Sequence, residues 1–156
     1  MKKKVLIVTA SYYRNITTNL RADAEVLLDE AKIEYDTVDV PGVFEIPVTI
    51  AKNIKNYDAF VALGCVIKGE TPHFDFISKT TFEGLMNLSI ENKKPIGNGI
   101  ITSLNLEQAI QRSGSDEFVL EKNKDKGKGK EATKAVLSVL TQKWELLLVQ
   151  KIILEL

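Results

Sequence analysis

The chain has 156 residues, with 21 basic and 21 acidic side chains, one histidine and one cysteine. That length suits a single domain with a substantial core, and the balanced charge gives no global field towards nucleic acid or an anionic membrane. One cysteine rules out an intramolecular disulfide; with no signal peptide recognised, the expected compartment is a reducing cytoplasm.

The opening Met1-Lys2-Lys3-Lys4 ahead of Val5-Leu6-Ile7-Val8 has the outline of a secretory leader. The apolar run stops at Ser11-Tyr12-Tyr13-Arg14 without a small-residue cleavage site, so Lys4 to Ala10 is read as a buried first strand. Thr17 or Thr18 is predicted to cap a helix reaching about Ala31, with Leu20, Ala24, Leu27 and Leu28 as its apolar stripe. Glu34 to Val40 reads as the second strand, ended by Pro41-Gly42. Glu45 to Ile54 follows as a helix whose first turn tolerates Pro47, because the missing N–H has no partner there anyway. Asn56-Tyr57-Asp58 turns the chain into a central strand, and Asp75 is predicted to cap the amphipathic segment Phe76 to Glu91. Lys93-Lys94-Pro95 leads into a fourth strand, Ile96 to Thr102. Ser103 or Asn105 then caps a short helix through Arg112, and a last helix runs from Glu131 through Leu140. Strands alternating with helices imply βαβ units, and right-handed crossovers put helices on both faces of a parallel sheet. The predicted fold class is α/β, as one domain over residues 1–156.

Chemistry concentrates after the central strand. The run Val61-Ala62-Leu63-Gly64-Cys65-Val66-Ile67 is β-branched and apolar, and Lys68-Gly69-Glu70-Thr71-Pro72-His73-Phe74-Asp75 breaks it. A turn between a strand's carboxyl end and a helix N-terminus presents free N–H groups and the positive end of a helix dipole, which suits an anion. The sole histidine, His73, lies in that turn, and imidazoles titrate near neutral pH. Each residue alone is ordinary turn chemistry. Their conjunction at the end of a parallel strand favours a ligand site.

Two stretches resist this frame. Ser113 to Lys130 holds Gly114, Gly127, Gly129 and lysines at 122, 124, 126, 128 and 130. Gly127-Lys128-Gly129-Lys130 fails the phosphate-loop pattern in spacing, in lacking a following Ser or Thr, and in not following a strand, so the stretch reads as a solvated loop. Trp144 to Leu156 is strongly apolar but too short to span a bilayer, with Lys151 and Glu155 interrupting it; residues 141–156 are atypical, and an oligomer interface explains them better than a membrane-surface anchor.

Gly69-Glu70-Thr71-Pro72-His73-Phe74-Asp75 resembles a signature of the lumazine synthase family, and Pro41-Gly42-Val43-Phe44-Glu45-Ile46-Pro47 resembles that family's second signature at a suitable distance upstream. The resemblance covers about residues 4 to 140 and narrows the fold to a three-layer, flavodoxin-like sandwich around a four-stranded parallel sheet. It implies a transferase of riboflavin biosynthesis that joins 5-amino-6-(D-ribitylamino)uracil to 3,4-dihydroxy-2-butanone 4-phosphate. The product is 6,7-dimethyl-8-ribityllumazine, and phosphate and water leave. Such a reaction needs no cofactor and no metal, and the sequence supplies no cluster with metal-ligand spacing.

By the same resemblance His73 matches the catalytic proton carrier, and Gly69, Glu70, Thr71 and Arg112 match the phosphate site, with Lys128 as an auxiliary contact. Tyr13 corresponds to the aromatic residue that stacks on the pyrimidine. Val43, Phe44 and Glu45 match the segment that grips the ring and ribityl chain, and Cys65, Val66 and Ile67 match backbone contacts to the pyrimidine. At position 98 the family often has an aromatic residue that crosses a subunit boundary; Asn98 hydrogen-bonds but does not stack. The family's sites lie between subunits of a pentamer, some of which assemble into shells. The long Ser113 to Lys126 connection and the short lead before the first strand favour isolated pentamers or pairs of pentamers. Small-molecule substrates are the implied partners, with riboflavin synthase as a further candidate and neither nucleic acid nor membrane. Two other functions compete: a flavin- or lumazine-binding or shell-forming homologue with little turnover, and a phosphate-ester hydrolase using Cys65 with His73.

Overall fold

The computed structural model describes residues 2–114 and 127–142, together with Leu154. Four strands, β1 (Lys4–Ala10), β2 (Glu34–Val40), β3 (Ala59–Ile67) and β4 (Ile96–Ser103), form one sheet in the order β2-β1-β3-β4 with every pair parallel. Among the described residues, helices α1 (Arg14–Glu30), α2 (Ile46–Asn53), α3 (His73–Asn92), α4 (Leu106–Arg112) and α5 (Lys128–Leu140) connect or follow them. The fold class is α/β, a three-layer sandwich, as the alternating pattern predicts. Most of the predicted connection Ser113 to Lys126 and the apolar Trp144 to Leu156 lie outside the described residues.

The strands alternate strictly, as the period of two requires. Val5 and Ile7 of β1 with Val61, Leu63 and Cys65 of β3 face one side, where Ile16, Leu20, Ala24 and Leu28 of α1 and Val136 of α5 cover them. Leu6 and Val8 with Phe60 and Ala62 face the other side, against Ile46 and Ile50 of α2 and Leu85 of α3. Each fully buried Leu or Ile side chain contributes roughly 1.5–3 kcal/mol relative to exposure. Gly97 permits a close approach of α5 to β4: a Cβ there would stand 2.5 Å from the Ala132 carbonyl oxygen and 2.7 Å from Val136 Cγ2.

Helix starts differ from the predicted ones. α1 begins at Arg14, and Thr17 is buried inside it; the Tyr13 carbonyl already accepts from the Ile16 and Thr17 N–H groups. Thr17 and Thr18 therefore do not cap it. α3 begins at His73 after Pro72, so Asp75 is its third residue and complements the dipole instead of capping. Pro72 forces this start, because its carbonyl accepts from Asp75 N and Phe76 N at 3.1 and 3.3 Å. α5 begins at Lys128, ahead of the predicted Glu131, and Glu131 pairs back to Lys128 at 3.0 Å. The predicted helix from Glu45 opens as a single 3-10 turn, Val43–Glu45, before α2. Asn105 does cap α4: its Oδ1 accepts from Gln108 N at 2.9 Å while Gln108 Oε1 accepts from Leu104 N at 2.9 Å.

Candidate active site

The strand order reverses direction between β1 and β3, since the chain leaves β1 to one side for β2 and returns to the other for β3. Open α/β sheets bind ligands at the carboxyl ends of strands flanking such a point. A cleft of about 560 Å³ opens there, lined by residues that include Tyr12, Tyr13, Val43, Phe44, Cys65, Val66, Ile67, Gly69, Thr71, His73, Phe74 and Ile77. Its size suits a small organic ligand.

Three local devices shape this cleft. First, Gly42 N–H donates to Glu45 Oε2 at 2.9 Å, which closes the 3-10 turn and turns Val43 inward. Val43 then lies on β3 at Gly64, where a Cβ would stand 2.6 Å from Val43 Cγ1. Second, Ser11 N–H donates to the Val40 carbonyl at 2.8 Å, fixing the loop that carries both tyrosines. Their rings meet edge to face, 4.9 Å apart at 74°. Third, Lys68 N–H donates to the Ser103 carbonyl at 2.9 Å, so the strand-to-helix turn is anchored before Gly69. α3 then points its N-terminus at the cleft, with Thr71 and His73 exposed at its rim. The result is an aromatic and apolar trough with one polar end, suited to a flat heteroaromatic ring joined to an anionic group.

Burial pushes the Cys65 thiol up to about 12. At neutral pH almost none of it is thiolate, so Cys65 walls the cleft as a small apolar side chain and is a poor nucleophile. Burial also raises the Tyr13 phenol above its ordinary value, with Tyr12 and Cys65 adding to the shift.

The predicted residues do not all meet. Asn98, Arg112 and Lys128 line a second cleft of about 420 Å³, along the free edge of β4, with Phe82, Thr102, Gln111 and Glu131 among its other walls. The two clefts share no lining residue. In the second, Arg112 Nη1 donates to the Gln108 carbonyl at 3.3 Å, and Asn98 Oδ1 accepts from Ile100 N–H at 3.1 Å, satisfying an edge donor of its own strand. The Asn98 amide NH2 remains as a donor. Glu45 and Glu70 line neither cleft: the Glu45 carboxylate is held by Gly42, and Glu70 is exposed. Tyr13, the residue expected to stack, lines the first cleft together with its neighbour Tyr12, which is 78% exposed. Among the described residues no group of three or more His, Cys, Asp or Glu side chains is placed to hold a metal, and no helix is long and apolar enough to cross a membrane.

Comparison with known proteins agrees with this geometry. The family model for 6,7-dimethyl-8-ribityllumazine synthase matches residues 2–143. A protein of that name from Bartonella tribocorum is 43% identical over 148 residues, covering 92% of this chain and 93% of its own length. Namesakes from Afipia carboxidovorans and Agrobacterium fabrum are each 40% identical, over 150 and 152 residues, covering 92% and 93% of this chain and 87% and 97% of their own lengths. With both cleft-forming signatures inside the matched region, the chain belongs to the 6,7-dimethyl-8-ribityllumazine synthase family.

Proposed function

We propose that the chain condenses 5-amino-6-(D-ribitylamino)uracil with 3,4-dihydroxy-2-butanone 4-phosphate, releasing phosphate and water to give 6,7-dimethyl-8-ribityllumazine. The observation that carries this reading is the division of the first cleft into an aromatic trough and a polar end at the α3 N-terminus. Tyr12 or Tyr13, Val43 and Phe44 hold the pyrimidine, with backbone contacts from Cys65, Val66 and Ile67. Glu45 holds the turn that presents Val43 and Phe44. Gly69, Thr71 and the first N–H groups of α3 take the phosphate.

His73, at the start of α3 and in the lining of the same cleft, moves protons as the amine adds to the ketone, water and phosphate leave and the ring closes. Holding amine and ketone together supplies much of the acceleration, worth several kcal/mol of barrier. Arg112, Lys128 and Asn98 belong to the same reaction by way of a neighbouring subunit. Their cleft flanks β4, the outer strand among the described residues, and a strand edge left unpaired there is a surface that oligomers cover. The exposed Phe76, Met86 and Ile90 along α3 add apolar surface to bury in such an assembly. This supports a ring of subunits, read as a pentamer, working in the cytoplasm on small-molecule substrates, with riboflavin synthase as the enzyme that takes the product.

The test mixes protein with both substrates at neutral pH and follows lumazine absorbance after subtracting the uncatalysed rate. Turnover is expected in the parent protein, with losses of about 10²-fold or more in His73→Ala and a raised KM for the phosphate substrate in Arg112→Ala. Background turnover in the parent, with retained binding of a lumazine or flavin, rejects catalysis. It leaves a binding protein, with Asn98 as the residue to examine.

A further inference from the structure

A third hollow shares no lining residue with either cleft. It encloses about 380 Å³ between the end of α3, the start of β4 and the last turns of α5, with Ile90, Pro95, Ile96, Val136 and Val139 in its walls. Ile90 is 66% and Val139 49% exposed, so the chain leaves this apolar groove open. Lys93 and Lys94 border it. Lys94 Nζ donates to the Ile54 and Tyr57 carbonyls, whereas Lys93 enters no ion pair among the described residues. The helix that supplies Val136 and Val139 closes at Leu140, with Thr141 as its C-cap, so the chain leaves α5 beside the groove. A strongly apolar stretch follows: within residues 144–156 only Glu145, Gln150, Lys151 and Glu155 are polar. It lies beyond residue 143, where the family match ends, so the family's shared reaction does not account for it. Leu154 is 86% exposed. One chain thus presents both an open apolar groove and, at Leu154, an apolar side chain that it does not cover itself.

We propose that residues 144–156 of one copy seat in this groove of a second copy. Place, chemistry and charge select that occupant. The segment starts beside the groove, so two copies brought together there can exchange segments, which is a low-cost route to association. Its aliphatic side chains match the aliphatic walls, and burying both removes two apolar surfaces from water at once. Its acidic excess, Glu145 and Glu155 against Lys151, matches the unspent charge of Lys93 at the border. The same excess makes an anionic lipid surface a poorer partner, because such surfaces hold segments rich in Lys and Arg. The contact lies away from both clefts, so it strengthens the assembly without entering the site.

The experiment uses the full chain. Light scattering over a dilution series reads the concentration at which copies separate, for the parent, Val139→Glu and Leu154→Glu. Both positions are exposed within one chain, so the substitutions act on the contact and not on the fold. Each is expected to raise that concentration about tenfold or more, since an apolar anchor at an interface is worth over 1 kcal/mol. In parallel, Leu154 is replaced by the photo-cross-linking benzoylphenylalanine, isotope-labelled and unlabelled copies are dissociated and reassembled together, and the linked peptides are identified by mass spectrometry. Links between a labelled and an unlabelled chain, at residues 89–96 or 135–139, are expected. Links confined to one chain, links elsewhere, no links, or unchanged dissociation in both glutamate variants overturns the proposal. So does sedimentation of the parent with phosphatidylglycerol vesicles that Leu154→Glu abolishes. None of these readouts depends on turnover, so the proposal stands or falls separately from the reaction.

Discussion

The two adjacent tyrosines divide one task between them. Tyr13 is half-buried, packs against the core cluster of β1, β3 and α1, and sits where burial raises its phenol. Tyr12 is solvent-exposed and touches the cleft with a free ring face. Tyr12→Ala is therefore expected to raise KM for the pyrimidine about tenfold or more with little change in melting temperature, because base–aromatic stacking is worth roughly 1–3 kcal/mol. Tyr13→Ala is expected to cost about 2–3 kcal/mol of stability as well, by the cavity it leaves. Steady-state kinetics and denaturant titration of the pair separate the roles; equal losses of stability in both variants refute the division. The sequence made an aromatic residue after β1 legible, but which ring faces the ligand depends on where α1 begins. The start of α1 at Arg14 puts Tyr13 at its N-cap, half-buried against the core, and leaves Tyr12 exposed, with both residues on the cleft. Glu45 illustrates the same limit: its carboxylate was legible as a polar group near the ligand, but its bond to Gly42 depends on a 3-10 turn that no apolar periodicity announces.

Elements were legible where a period was long and clean, as in the four strands, whose alternation decides both core faces. The misplaced helix starts share one cause. A cap is a competition among several nearby polar groups, settled by backbone geometry and not by residue type, as Pro72 settles it for α3. Element packing makes its own prediction at Gly97. Adding a methyl there drives α5 off β4, so Gly97→Ala is expected to destabilise the fold by roughly 1–3 kcal/mol and to displace Lys128 from the second cleft, lowering activity together with stability.

At the opposite end of the sheet, Lys4 Nζ lies 2.8 Å from Asp36 Oδ2, and the Tyr57 hydroxyl donates to the same oxygen at 2.6 Å. Hydrogen bonds from Lys4 and then Tyr57 lower the Asp36 carboxyl below its ordinary value, while the bond to Asp36 raises Lys4. A depressed carboxyl contributes stability above its unfolded pKa, near 3.9, and loses it as pH falls through the folded value. A raised lysine contributes below its unfolded pKa, near 10.4, and loses it at higher pH. The stability advantage of the parent over Asp36→Asn should accordingly be flat between about pH 5 and 9 and shrink below pH 4. Both groups are solvent-exposed, so added salt should reduce that advantage. An advantage that grows on acidification contradicts the assignment.

The molecule as a whole carries its proposed site in two pieces that do not meet within one chain. His73 and Thr71 lie at the start of α3 after β3, whereas Asn98 lies on β4, the outer strand of the sheet, with Arg112 at the end of α4 and Lys128 at the start of α5. Residue types and motif order were legible without the fold, and the resemblance implied a site shared between subunits; which residues fall in which cleft was not legible, because it follows from β4 standing outermost among the described strands and from where α4 and α5 start and end against it. A divided site has a consequence that an undivided one cannot imitate. If the first cleft of one subunit closes on the second cleft of its neighbour, then His73→Ala and Arg112→Ala each spoil every site in a pure assembly. In a randomly mixed ring, a site is restored wherever an Arg112→Ala subunit supplies its intact first cleft to a His73→Ala neighbour's intact second cleft. With equal mixing that arrangement occurs at about one boundary in four, since each of the two positions is filled correctly half the time. Dissociating the two variants, reassembling them together and assaying lumazine formation is therefore expected to recover about a quarter of parental activity. Mixing the intact preparations without subunit exchange should recover none. Were both clefts of one chain to serve the same ligand, each subunit would remain defective whatever its neighbour, and reassembly would leave the rate at the level of the variants alone.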